Sequence, residues 1–447
     1  MTHDEINILQ IKQKEFFNSG KTLNIDFRKS TLIKLKKIIE ENEEQILKVL
    51  LEDLGKNEIE AFTSEINYVI EEIDILLENI DKWSKDKKVK NSLINFPSKS
   101  YYKYVPNGVC LIISSWNYPF GLLLTPIVGA IAAGNCVIGK PSEHAPKTSK
   151  LIKDLINNNF NEEYIKIIEL KGEETNVLIN ENINQVFFTG GTEVGRIINQ
   201  EASKYLIKVN LELGGKNPCF VDDDIDLDVT VKRIIWGKFF NSGQTCIAPD
   251  YILVNENIKD IFINKSIEII KEFYDNNKFK IINKKHFDRL INIIKKEEVI
   301  YGGNYSEDNL EIEATLCSTI NYKDEIFGPI LPIISYNNLN KEINKIQNPL
   351  NIYLFSKTKE KQRLIIENTN SGNIVINGTI HGIVNHHLPF GGVGESGIGT
   401  YHGFASFETF SRKKGIMVKS FLFDNNKIYP PYNIPLKILK KIIKVLK

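Results

Sequence analysis

Cys246 stands in Asn241-Ser-Gly-Gln-Thr-Cys-Ile-Ala-Pro, where small and turn-forming residues let the backbone approach a ligand closely. A thiolate is the attacking form of cysteine and the least handicapped side-chain nucleophile near neutral pH. Alone, a single cysteine reads more readily as a buried core residue. Two other segments change that balance. Trp116-Asn117-Tyr-Pro follows an expected strand, and an amide such as Asn117 can donate to the oxyanion formed when a thiolate adds to a carbonyl. Leu211-Glu212-Leu-Gly-Gly-Lys ends another expected strand, and a carboxylate such as Glu212 can activate water against a thioester. Separately, these would read as a turn-capping Asn and a solvated Glu. Together they are the parts of an acyl-enzyme route.

A phosphate-bearing cofactor is suggested by Asn184-Gln-Val-Phe-Phe-Thr-Gly-Gly-Thr-Glu-Val-Gly-Arg. It sets Gly190, Gly191 and Gly195 between a strand and a helix, where backbone amides and the helix dipole favour an anion. A second cofactor candidate is Gly139-Lys140-Pro-Ser-Glu143, whose Lys140 and Glu143 suit ribose hydroxyls. A carboxylate there disfavours a 2′-phosphate. The one G-x-G-x-x-G match, Gly392 to Gly397, follows Leu388-Pro-Phe rather than an apolar strand and reads as a loop of the catalytic half. Asp222 to Asp228 alternates acids but has Leu227 where a calcium loop needs Gly, and His386-His387 has no matching ligand set. No metal site is expected.

The elements that must position these groups follow from hydrophobic patterning. Residues 6–83 read as amphipathic helices. Short apolar runs at 109–113, 137–138, 165–169, 186–188, 209–211 and 219–221 then alternate with helical patterns. This implies an α/β protein with a doubly wound parallel sheet whose ligands lie beyond the carboxyl ends of its strands. Strands expected at 251–254, 330–334, 352–355 and 374–376, among helices at 229–240, 259–273 and 287–298, make a second α/β domain. Tyr101-Tyr-Lys-Tyr suits an exposed strand or hairpin able to serve an interface.

In 447 residues, 57 basic side chains nearly cancel 56 acidic ones, leaving a formal charge of +1 and no field to recruit nucleic acid. Five scattered cysteines without C-x-x-C spacing argue against disulfides and zinc and point to the cytoplasm. The start lacks a secretory pattern. Residues 105–139 carry no charge until Lys140, a length that would permit a membrane span, but Pro119, Pro126, Gly134 and Asn135 punctuate them as buried helix and strand. The tail from Ile434 is basic and amphipathic, suited to a partner subunit and, as the lesser reading, to peripheral contact with an anionic membrane.

With these motifs in hand, the sequence resembles the aldehyde dehydrogenase superfamily, most closely its class 3 (fatty and aromatic aldehyde) branch. The resemblance covers nearly the whole chain. Its carriers are Trp116-Asn-Tyr-Pro-Phe, Lys140-Pro-Ser-Glu, Phe188-Thr-Gly-Gly-Thr-Glu-Val-Gly, Leu211-Glu-Leu-Gly-Gly-Lys, Gly243-Gln-Thr-Cys, Glu325-Ile-Phe-Gly-Pro and Pro389-Phe-Gly-Gly-Val-Gly-Glu-Ser-Gly. It implies Cys246 as nucleophile, Asn117 with the Cys246 amide as oxyanion hole, and Glu212 as general base. It sets Glu325 and Phe327 against the nicotinamide end, counts Trp116 and Val194 among the cofactor contacts, and implies NAD, with NADP possible. The fold it implies is a Rossmann-type NAD(P)-binding domain (1–97 and 105–211), a catalytic domain (212–404), and a small β oligomerisation arm with the tail (98–104 and 405–447). The implied assembly is a homodimer. A CoA-acylating dehydrogenase or acyl reductase is the alternative chemistry, disfavoured by Glu212, and a silent binding protein on the same scaffold is the non-enzymatic one.

Overall fold

The computed structural model describes residues 1–447 apart from 93–94, 275–277, 423, 425–428 and 447. Two mostly parallel sheets organise it. The first has six strands in the order Gly397–Ile398, Lys208–Leu213, Gln185–Gly190, Val109–Ile113, Cys136–Lys140 and Ile165–Ile167, antiparallel only at the Gly397–Ile398 edge. The second has seven, in the order Val299–Tyr301, Thr315–Cys317, Ile330–Tyr336, Tyr251–Asn255, Pro218–Val221, Asn351–Phe355 and Asn373–Ile376, antiparallel only at the Val299–Tyr301 edge.

The charge-free run is the centre of the first sheet. Val109–Ile113 and Cys136–Lys140 are buried at every residue, and the helix between them, Gly121–Ala133, is buried along all 13 positions. A central parallel strand is covered on both faces, so it needs an unbroken apolar run. The helix stops at Gly134, whose φ is +97° and where a Cβ would lie 2.8 Å from the buried guanidinium of Arg28. Arg28 in turn donates to the carbonyls of Thr22 and Ala132, tying the helix Ile25–Glu41 to this corner. The first helix, His3–Asn18, starts on a capping box between Thr2 and Glu5 and reaches the sheet through Gln13, which donates to the Val137 carbonyl.

Three details refine the sequence expectation. Of the strand and the hairpin left open for this stretch, the structure forms a strand, Ser98–Pro106, paired along its length with Ser411–Lys419 and flanked by Lys87–Lys88. Its register comes from the far end of the chain rather than from a local turn, which is why no turn signal accompanies it. The division expected between 211 and 212 falls inside Lys208–Leu213, and Gly397–Ile398 returns to pair with that strand. Residues 404–409 form a helix against Gly121–Ala133 rather than part of a tail, because a Cβ at Gly129 would lie 2.9 Å from Ser406. At the end of the chain, Leu436–Leu446 is a helix with Lys437, Lys440, Lys441 and Lys444 exposed. Among the described residues no helix is long and apolar enough to cross a membrane.

The fold rests on close packing of the first sheet, and Leu111, fully buried on its central strand, samples it. Leu111→Ala is expected to cost about 2–5 kcal/mol of folding stability through lost burial and a residual cavity. A urea titration against the native chain checks this, and an unchanged midpoint would contradict the assignment.

Candidate active site

Two cavities meet at one cysteine. The first, about 230 Å³, lies over the carboxyl ends of the first sheet and is lined by Trp116, Asn117, Gly190, Gly191, Glu212, Cys246, Glu325 and Phe327 among others. The second, about 300 Å³, is largely apolar and aromatic, with Tyr68, Tyr118, Trp236, Phe240, Ile383 and Tyr401 in its wall. Cys246, Glu212 and Leu122 belong to both. The sequence placed ligands beyond the carboxyl ends of strands, and Asn117, Gly190 and Glu212 obey this for the first sheet. The second sheet contributes from the opposite end: Cys246 and Glu325 precede the strands Tyr251–Asn255 and Ile330–Tyr336. The site is the gap between carboxyl ends of one sheet and amino ends of the other.

The Cys246 loop is shaped by backbone that few residues adopt. Asn241, Ser242 and Gly243 have φ of +52°, +58° and +70° in succession. At Gly243 a Cβ would come within 2.3 Å of the Gly328 carbonyl oxygen, so only glycine fits between this loop and the Glu325-Ile-Phe-Gly turn. Amides then lock the loop. Asn241 Nδ2 donates to the carbonyls of Asn117 (2.9 Å) and Gln244 (3.1 Å), and Asn117 Nδ2 donates to the same Gln244 carbonyl (3.0 Å). Asn217 Nδ2 donates to the carbonyls of Cys246 (2.7 Å) and Ala248 (3.1 Å). The turn of Glu325 is pinned by Asp250, which accepts from the Ile326 amide (2.8 Å) and pairs with Lys216 (2.8 Å).

Electrostatics single out Glu212. Its side chain is 2% exposed and neither carboxylate oxygen has a hydrogen-bond partner of normal geometry. Desolvation pushes the carboxyl up to about 7, opposed by its contact with the Cys246 side chain. Burial likewise raises the Cys246 thiol, and the neighbouring Glu212 and Glu325 raise it further. Glu325 is itself pushed well up, first by burial and then by Asp250. It packs so tightly on Gly214 that a Cβ there would be 2.1 Å from its carboxylate.

The remaining cofactor candidates divide. Gly191 begins the helix Thr192–Ser203 with no side-chain cap, and a Cβ on it would meet nothing within 4 Å. This open, uncapped helix start fits a dinucleotide phosphate. Gly195 is buried inside the helix, where a Cβ would collide with Leu213 at 2.6 Å, so its smallness serves helix-to-strand packing. Val194 is half exposed and lines neither cavity. Lys140 and Glu143 also lie outside both linings. They pair at 2.6 Å while Glu143 accepts from the Gly172 amide. Desolvation raises the Glu143 carboxyl, but the bonds from Lys140 and the backbone outweigh it and hold it at about 2.

Sequence reasoning missed several groups. His286 and Arg289, one helical turn apart, line the first cavity, and His286 packs 5.1 Å from Trp116, its imidazole lowered to about 4 by burial and then by Arg289. Their spacing on an amphipathic helix carries no distinguishing signal. His386, set aside as a metal ligand, donates instead to the buried Glu72 (2.8 Å), which also accepts from the Gly403 amide and the Ser406 hydroxyl. No metal-binding cluster exists among the described residues. The G-x-G-x-x-G segment folds as a tight turn against the Glu212 strand, and none of its glycines lines the first cavity.

Residues 3–416 match the model of the aldehyde dehydrogenase family. The chain belongs to that family. It is accordingly an NAD(P)-dependent aldehyde dehydrogenase of the class 3-like branch. It is 42% identical to the 4,4'-diaponeurosporen-aldehyde dehydrogenase of Staphylococcus aureus, over 98% of this chain and all of that one. It is 39% identical to the dimeric NADP-preferring aldehyde dehydrogenase of Mus musculus, over 94% and 96% of the two chains. Among solved structures, a substrate-bound Staphylococcus aureus AldH superposes with a TM-score of 0.94 at 42% identity, covering 98% of this chain and 99% of that one. An NADP complex of glyceraldehyde-3-phosphate dehydrogenase from Methanocaldococcus jannaschii gives 0.84 at 26% identity, with 94% and 95% covered.

In this aldehyde dehydrogenase Gly243→Ala is expected to displace the Cys246 loop, since a methyl group cannot share space with the Gly328 carbonyl. If Cys246 attacks the aldehyde, a displaced loop is expected to cost on the order of 100-fold in rate. Steady-state turnover beside a thermal melt separates this from unfolding, and native turnover would refute the loop geometry.

Proposed function

We propose that the chain oxidises an apolar aldehyde to its carboxylic acid through a thiohemiacetal and a thioester on Cys246. The observation carrying this reading is the position of Cys246 and Glu212 at the junction of a glycine-lined cavity and an apolar one, with the carboxylate unpartnered. The Cys246 thiol gives up its proton to solvent, and the thiolate adds to the carbonyl carbon, leaving Glu212, poised near neutrality, free to act as base in the later hydrolysis. Negative charge gathers on the aldehyde oxygen, where the Cys246 amide and the second hydrogen of the Asn117 side chain donate. When bound, NAD(P) would supply the hydride acceptor that oxidation to the thioester requires. Glu212 then draws a proton from water as it attacks the thioester carbonyl, releasing the acid and the thiolate. Gly190, Gly191 and the first turn of Thr192–Ser203 would hold its phosphates, Val194, Lys140 and Glu143 its adenosine, and Trp116, Glu325 and Phe327 its nicotinamide end.

The apolar wall of the second cavity supports a medium- or long-chain aliphatic or an aromatic aldehyde. In domain terms, the six-stranded sheet with the N-terminal helices forms the cofactor half and the seven-stranded sheet the catalytic half. The sheet of Ser98–Pro106 and Ser411–Lys419 with the basic tail forms a homodimer contact. Five free cysteines suit the cytoplasm.

Cys246→Ala should abolish aldehyde-dependent NAD(P)H formation, whereas Glu212→Gln should retain a first-turnover burst and lose roughly 10²–10⁴-fold in steady-state rate. The native rate should rise as pH passes about 7, where the carboxyl becomes a base, and this limb should vanish in Glu212→Gln. Retained turnover in Cys246→Ala ends the proposal, and a requirement for added CoA would replace hydrolysis with acyl transfer. Glu143→Gln should lower the KM for NADP relative to NAD by removing a charge that repels a 2′-phosphate. Paired cofactor titrations at one aldehyde concentration check this, and an unchanged ratio would remove Glu143 from the adenosine site.

A further inference from the structure

Motif chemistry does not account for a fully buried ion pair in the N-terminal helical region. The side chains of Lys56 and Glu65 are 1% and 0% exposed and pair with one another. Burial pushes Glu65 up and Lys56 down, and their mutual attraction opposes both shifts. Such a pair often stabilises a fold no better than apolar residues of the same shape, so its presence calls for another role.

Its contacts converge on the Asn117 turn. Glu65 Oε2 accepts from the amides of Phe120 (3.1 Å) and Gly121 (2.8 Å), where the helix Gly121–Ala133 begins directly after Trp116-Asn117-Tyr118-Pro119. The Lys56 ammonium sits 3.8 Å from the centre of the Tyr118 ring, and the Tyr118 hydroxyl bonds to that of Thr245, next to Cys246. From the same segment, Glu60 accepts from the Asn241 amide (2.7 Å) at the start of the left-handed run. Glu65 lies in a π-helical turn, Phe62–Ile66, a local irregularity that changes which side chains face inward and recurs at functional sites. One short stretch therefore grips both the turn of the amide donor and the loop of the nucleophile.

We propose that Glu65, held in place by Lys56, is a positioning residue that sets the Asn117 amide relative to Cys246. A carboxylate bonded to the two amides that follow the turn fixes where the turn ends, and its ammonium partner fixes the intervening Tyr118. Asn117 then meets the developing oxyanion without rearranging. The inference rests on the oxyanion reading of Asn117 given above.

The test compares Glu65→Gln, Lys56→Met/Glu65→Gln and Asn117→Ala, singly and combined, in the full chain with a saturating aliphatic aldehyde and NAD. The double replacement removes both buried charges, so it keeps the comparison possible if an unpaired Lys56 unfolds the single variant. Expected are native-like melting of the double variant, unchanged NAD affinity and a kcat reduced roughly 10- to 100-fold. Asn117→Ala alone should cost on the order of 10²–10³-fold, and much less in the Lys56→Met/Glu65→Gln background, because residues acting as a unit are not additive. Full kcat in the folded double variant, or effects that simply multiply, would overturn the proposal. Failure of both charge variants to fold would overturn it too, since the pair would then serve the core. Full kcat in Asn117→Ala alone sinks the oxyanion reading instead, and loss there with none in the charge variants sinks only this one.

Discussion

The structure depends on burying one carboxylate among side chains that offer it no hydrogen bond of normal geometry. Glu212 is enclosed by the end of its own strand, the Cys246 loop and the walls of two cavities, and among the described residues only its contact with the Cys246 side chain approaches its oxygens. A buried carboxyl in such a place holds its proton more tightly in the folded chain than in the unfolded one. Folding stability therefore declines as pH climbs from the ordinary carboxyl range to about 7, and the loss is complete above it. The rest of the molecule must absorb that cost, and the dry centre of the first sheet does so through continuous apolar burial. The same desolvation that destabilises the fold raises the carboxyl to about 7, a strength that suits the base role proposed for it.

A second constraint is the opposition of the two sheets. Carboxyl ends of the first sheet present uncapped amides, a glycine wall and short turns, all suited to an anionic cofactor. Amino ends of the second present loops that can be long and strained, such as 240–250 and 318–329. One of these loops places Cys246 in the lining of both cavities, so under the proposed mechanism cofactor and aldehyde would reach the same sulfur from different sides. Gly243 against Gly328 and Gly214 against Glu325 show how closely the two halves must approach, and why side chains are excluded at those points.

Supporting interactions come from parts of the chain far from the motifs. Glu72, His386, Gly403 and Ser406 join the helix Asn67–Ser84 to the segment carrying Phe390 and Tyr401, which form part of the apolar wall. Asp250 and Lys216 couple the region after Cys246 to the Glu325 turn. Glu72 and Asp250 are buried carboxylates with several partners, which fixes geometry because any displacement leaves a donor or acceptor unpaired.

The sequence by itself determined the alternation of strands and helices, the buried nature of 105–139, and the short-range groupings in which chemistry is written locally, such as Asn241 to Cys246 and Gly190-Gly191. These are legible because a β-strand's burial, a turn's glycine and a helix start are properties of neighbouring residues. Tertiary structure alone decided that Ser98–Pro106 pairs with Ser411–Lys419, that Gly195 packs against Leu213 while Gly191 stays open, and that His286, Arg289 and Tyr401 join the site. It also decided which of many ordinary glutamates would be dry. Burial and pairing across hundreds of residues are not encoded in spacing, because the free energy of a charge or an amide depends on what the folded chain brings against it.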